Sequence, residues 1–166
     1  MSINFTEHLE VGMDYLHKSG AFLTVKNINE VNTMTISWGS IGYIWNKPIF
    51  TVLVRNSRYT HELIEITNEF TVSIPLNNVL KKELLFCGTK SGRDVNKIAE
   101  CNLNLADSKM ISTPIIGNCQ LHYECKILYK YTMSDENLNK VIKDTSYSSK
   151  DFHTMYYGEI ICCYTK

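Results

Sequence analysis

Hydrophobic and polar residues alternate along much of this chain with the period of two expected of strands that bury one face. The longest run covers residues 119–131, where Cys119, Leu121, Tyr123, Cys125, Ile127, Tyr129 and Tyr131 share one side. Asn118, Gln120, His122, Glu124, Lys126 and Lys130 share the other, with Leu128 as the one exception. A run this long predicts a strand that bends around a barrel. A second amphipathic strand begins at Asn32, with Thr33, Thr35 and Ser37 on one face and Met34, Ile36 and Trp38 on the other. Residues 21–26, 49–54, 70–74 and 157–164 read as further strands.

Helical spacing is confined to short stretches. Leu9, Met13 and Leu16 fall on one helical face, and Gly20 ends it. Thr60 is placed to cap a short helix reaching towards Asn68. Residues 79–87 place Leu80, Leu84 and Cys87 on one side, with Gly88 as the stop. Ser91 and Asp94 have the spacing of a capping box ahead of Val95, Ile98 and Ala99. Gly39, Ser40 and Gly42 predict a loop, and residues 134–151 a polar connection. Many strands with few helices argue for an antiparallel barrel over a doubly wound sheet.

Composition narrows the function. The 166 residues suit a single domain spanning 1–166. Seventeen basic and seventeen acidic residues cancel, which argues against binding nucleic acid. No apolar run reaches the length of a membrane helix, and Glu7, Glu10 and Asp14 spoil any signal peptide, so a cytoplasmic protein with no membrane partner is expected. The six cysteines include no C-x-x-C, and the five histidines no i, i+4 pair, so no metal is expected. Reduced, structural thiols are expected for most of the cysteines. No dinucleotide-binding glycine loop, P-loop or nucleophile elbow is present.

Three segments could hold an anionic, planar ligand. Residues 55–60 supply two guanidiniums (Arg55, Arg58) and the hydroxyls of Ser57, Tyr59 and Thr60 where a strand gives way to a helix. They also fit a solvated loop. The hydroxyl-rich residues 32–38 fit a ligand edge or an exposed edge strand, and Trp38 also fits a core position. The opening Ser91-Gly92-Arg93-Asp94, continuing to Lys97, fits an anion site or a solvated helix face.

Taken together, Asn32-Thr33-Met34-Thr35-Ile36-Ser37-Trp38, Arg55 with Tyr59-Thr60, Ser91-Gly92-Arg93-Asp94-Val95-Asn96-Lys97, and His153-Thr154 with Gly158-Glu159-Ile160 resemble the flavin reductase-like family, most closely flavoredoxins. The resemblance runs in order over residues 20–160. It implies a mainly β, antiparallel Greek-key split β-barrel with a few short flanking α-helices, which dimerises with FMN at the subunit boundary. It implies FMN contacts from Asn32, Trp38, Thr60, Lys97 and His153. Arg55, Ser57 and Thr60 would hold the phosphate, backbone between Thr33 and Ser37 the ring edge, and Lys97 the pyrimidine end; Tyr59, Ser91 and Arg93 complete the site. His153 is the candidate catalytic residue. NADH or NADPH would be the electron donor, and free flavin, iron or a redox protein the acceptor. A non-catalytic FMN carrier or electron-transfer module, or a ligand-free interaction barrel, are the alternatives. Flavoredoxin-like chains usually continue past the Gly158-Glu159-Ile160 strand, whereas this one ends at Lys166, which bears on the second-substrate site more than on FMN.

Overall fold

The structure, a computed structural model, describes residues 4–166. Helix α1 (Leu9–Lys18) leads into strands β1 (Ala21–Lys26), β2 (Val31–Ile36), β3 (Gly39–Ile44) and β4 (Lys47–Arg55). Helix α2 (Tyr59–Ile64), strand β5 (Glu69–Ile74) and helices α3 (Lys81–Thr89) and α4 (Lys97–Glu100) follow. The two-residue strands β6 (Leu105–Ala106) and β7 (Ile115–Ile116) pair with each other. The long strands β8 (Leu121–Thr132) and β9 (His153–Thr165) enclose helix α5 (Lys140–Ser146). None of the described helices is long and apolar enough to cross a membrane.

Seven strands form one sheet in the order β2-β1-β5-β8-β9-β4-β3, and every neighbouring pair is antiparallel. Its two edge strands, β2 and β3, are consecutive in the chain and joined only by Ser37 and Trp38. Neighbouring strands lie about 4.8 Å apart, so the edges of a flat sheet of this width would be roughly 29 Å apart. The step from Ile36 to Gly39 reaches at most about 11 Å. The sheet must therefore curl until its edges meet. The result is the expected antiparallel Greek-key split β-barrel with short helices around it. Phe50, Phe70, Tyr123 and Tyr156 fill its core, all fully buried. Gly158 lets β9 pass close under Phe70, since a Cβ there would lie 2.5 Å from Phe70 Cζ.

Several local expectations give way to tertiary contacts. The glycines after Trp38 are strand β3, closed onto β4 by a turn at Trp45-Asn46, both with positive φ. Gly39 is needed for that pairing, since a Cβ would lie 2.8 Å from Thr51 O. Helix α2 stops at Ile64, and Arg58, not Thr60, occupies its N-cap position. Gly88 does not end α3 but lies inside it, where its bare Cα lets the helix approach Thr35. Ser91 opens a turn in which its Oγ accepts from Arg93 N, and α4 begins later, capped by Asn96. The polar stretch 134–151 contains α5, and β9 begins at His153 instead of Tyr157.

Strand β8 departs most from its pattern. His122 and Glu124, on its polar side, are fully buried: Lys109 and Met110 close over Glu124, and His122 lies against Ser73 of β5 and Cys119. Glu124 accepts from Lys109 N and Met110 N, both at 2.7 Å, and from Tyr164 Oη at 2.9 Å. Tyr129 and Tyr131, on its apolar side, are half exposed, because β5 pairs with β8 only as far as Lys126. A register shift between Ile127 and Tyr129 accounts for the irregularity at Leu128.

Candidate functional site

The split in the barrel holds a groove made of two adjoining hollows of about 180 and 220 Å³, which only together reach the size of small-ligand sites. Met34, Arg55 and Arg58 line both. One hollow is mainly cationic, walled by Arg55, residues 57–60, the turn at 89–93 and Lys97, with Asp151 as its one carboxylate. The other is aromatic, walled by Thr35, Ile36, Ser37, Trp38, Leu53 and His153. β2 is an edge strand, so alternate N–H and C=O groups between Asn32 and Ile36 face away from β1.

The cationic hollow is built around Lys97. Asn96 caps α4 by accepting from Ala99 N at 3.1 Å, and the adjacent Lys97 side chain is buried at 5% exposure. Its Nζ donates only to Cys87 O at 3.4 Å, a long contact for an ammonium. Burial lowers its pKa, and the Arg58 charge adds to the shift. Cys87 offers no counter-charge, because burial pushes its thiol up to about 12. Among the described residues neither Lys97 nor Arg58 makes an ion pair. A buried cation with so little compensation is costly unless an anion joins it.

Most other polar side chains of this hollow already have partners. Ser57 donates to Asp151 twice, from N at 3.1 Å and from Oγ at 2.6 Å. Arg55 donates to the carbonyls of Asp151 (2.6 Å) and Ser146 (3.1 Å). Arg93 pairs with Glu62 and donates to Ser57 O at 3.2 Å, while its guanidinium lies over the Tyr59 ring. Tyr59 donates to Glu30, and that bond holds the phenol's pKa up. Thr60 accepts from Asn32 Nδ2 at 2.8 Å, which leaves its own proton unassigned. Gly92 is tightly placed, since a Cβ there would overlap Asn32 Oδ1 and lie 2.9 Å from Tyr59 Cδ1.

At the aromatic end Trp38 is 47% exposed, so it is not a core residue; its ring centroid lies 5.2 Å from that of His153. His153 sits opposite Arg55 on β9 and is buried. Burial and the Arg55 charge push its pKa down to about 4, so its imidazole is neutral at pH 7. Tyr147 Oη lies 2.8 Å from His153 Nδ1.

Most of the residues proposed from sequence therefore meet at one groove. Thr33 does not: its hydroxyl is buried against β1, bonded to Leu23 O and Thr24 Oγ1. Asn32 borders the cleft on the far side of Gly92 and touches the groove through Thr60. Lys97 lines the cationic hollow and not the one holding Trp38 and His153. Asp151 and Tyr147 had no signal beyond lying a few residues before the His153 motif.

The profile described as flavin reductase like domain matches residues 13–166. The chain belongs to that family. A relative, an uncharacterized protein of Archaeoglobus fulgidus, is 30% identical over 149 residues, covering 90% of this chain and 73% of that one. Among solved structures, a flavoredoxin from Methanosarcina acetivorans is similar with a TM-score of 0.69 and 24% identity, over 89% of this chain and 68% of that chain. An FMN-binding protein from Thermus thermophilus, solved with bound 1-cyclohex-2-enone, reaches 0.68 at 20% identity, over 88% and 69%. At these identities the structural likeness speaks for the fold.

Proposed function

We propose that this protein binds FMN in the split and uses it to take electrons from NADH or NADPH, passing them to free flavin, iron or a redox protein. The observation that carries the proposal is Lys97: a buried ammonium with one weak carbonyl contact, beside Arg58, facing a groove whose other end is aromatic. Family membership supports a flavin as the ligand. The donors present suit a phosphate, since Lys97, Arg58 and the free proton of Thr60 converge on the cationic hollow without a carboxylate of their own. Ser57 would join them by releasing Asp151. Lys97 is thus assigned to the phosphate end of the ligand instead of the pyrimidine end.

Bound FMN supplies the capacity to accept a hydride and release electrons. The chain's residues position it. Arg55 and Arg93 brace the walls through their carbonyl and carboxylate contacts, and Asn32 holds Thr60 in place. Trp38 and His153 would hold the ring, and the free edge of β2 would offer it backbone groups. The surface around Trp45 is aromatic, with its ring 6.1 Å from that of Tyr129 and 6.2 Å from that of Tyr157. Such a patch suits burial against a second copy, as the family likeness implies.

The test is direct. The purified protein is sized by ultracentrifugation, titrated with FMN by fluorescence quenching, and mixed anaerobically with NADH or NADPH while flavin absorbance is followed. Quenching followed by bleaching, on a dimer, is the expected result. Quenching without bleaching would leave the carrier reading standing, and no quenching would end both.

A further inference from the structure

Tyr147 belongs to none of the motifs, yet it is held on three sides at the aromatic end of the groove. It is buried, its ring stacks on Phe152 at 5.3 Å, and the Arg55 guanidinium lies over the ring, 5.4 Å from its centroid. Its ring stands nearly perpendicular to that of His153, with Oη 2.8 Å from Nδ1. The second neighbour of this hydroxyl is Met133 Sδ at 3.3 Å. One phenol proton has two possible acceptors. An imidazole nitrogen accepts well, while a thioether sulfur accepts weakly. Burial raises the phenol's pKa, so it keeps its proton, and the shorter contact takes it.

A neutral imidazole that accepts at Nδ1 must carry its proton on Nε2. Among the described residues Nε2 has no hydrogen-bond partner, and His153 lines the aromatic hollow. We propose that Tyr147 is a positioning residue that fixes His153 as its Nε2–H tautomer, so that the ring presents a hydrogen-bond donor to whatever lies in the groove. Toward a flavin, that donor would meet an acceptor atom of the ring system; this part alone rests on the FMN reading. The charged groups near His153, namely Arg55, Arg58 and Asp151, act on its pKa and provide no alternative acceptor for Nε2–H in the structure. His153 therefore acts as a donor and not as a base at neutral pH.

The tautomer is read by NMR of the full-length protein labelled with 15N-histidine at pH 7, the His153 signals being assigned by their loss in His153→Asn. Wild type is expected to show a single Nε2–H form, and Tyr147→Phe a mixture of both tautomers. Met133→Leu, which removes the competing sulfur, is expected to leave the wild-type pattern. An Nδ1–H form in wild type, or no change in a folded Tyr147→Phe protein, would overturn the proposal. If Tyr147→Phe does not fold, the wild-type and Met133→Leu spectra still decide, and a tautomer that switches in Met133→Leu counts against it. Saturating FMN, with binding confirmed by quenching, should shift the Nε2 signal; bound FMN that leaves it unmoved removes the ring contact. Failure of FMN to bind at all would sink the proposed function while leaving the tautomer result intact.

Discussion

Two regions of this barrel bury polar side chains, and they do so on opposite terms. Around β5 and the start of β8, donors and acceptors match. Glu124 takes two backbone N–H groups and a phenol, Glu69 takes Ser112 N and Thr113 N at 2.8 Å each, and His122 is bonded at both nitrogens, to Ser73 Oγ and Cys119 O. In the groove, Lys97 has one weak contact, Arg58 has no ion pair, and His153 is bonded at one nitrogen only. What remains open there is donors. A region whose polar groups satisfy one another is built for stability, whereas one left with surplus donors is built for a ligand that brings acceptors.

The comparison can be broken by substitutions that should act on one quantity and spare the other. The largest effect is expected from Glu124→Ala, which strands two N–H groups and a phenol. It should lower unfolding free energy in urea by about 3–5 kcal/mol, as for a broken buried charged network, with FMN affinity unchanged while the protein is folded. A loss of FMN binding at full stability would erase the distinction. Acid tests the same region next. Burial holds His122 down at about 4, below its ordinary 6.5, so the folded state resists the proton that the unfolded chain accepts. Stability is present in full above about pH 6.5 and is lost as pH falls towards 4, on the order of 3 kcal/mol from this group. His153, also held at about 4, adds a like share, so His122→Gln should remove about half of that slope in urea melts run across the range; an unaltered slope would assign the acid sensitivity elsewhere. Lys97→Met is the converse case. FMN affinity should fall roughly 10- to 100-fold, about 1.5–3 kcal/mol, while thermal stability holds or rises because a poorly compensated buried ammonium is gone. Lower stability with unchanged affinity would make Lys97 structural.

Much of this was legible in the chain because strands write their two faces into alternate residues. The alternation after Asn32 and after Cys119, and the apolar run before Arg55, located β2, β8 and β4 to within a few residues. The segments that meet at the groove could also be named, since hydroxyls and guanidiniums gathered at strand ends are unusual in a chain with no net charge. What failed were readings that treat a residue by its local habit. Gly88 and Gly39 looked like a stop and a loop but serve close approach of a helix and a strand, and His122 looked solvent-facing but is buried against Ser73 of the neighbouring strand.

The sequence alone determined the class of fold and the residue types brought to the site, because periodicity and composition are local properties carried in order along the chain. Only the tertiary structure decided which of those residues are free to act. It turned Thr33 into the core, occupied Ser57 with Asp151, left Lys97 with a single long carbonyl contact among the described residues, and brought Tyr147 against His153. Whether a donor is satisfied depends on groups far away in sequence, and no local pattern records how the curled sheet brings them together.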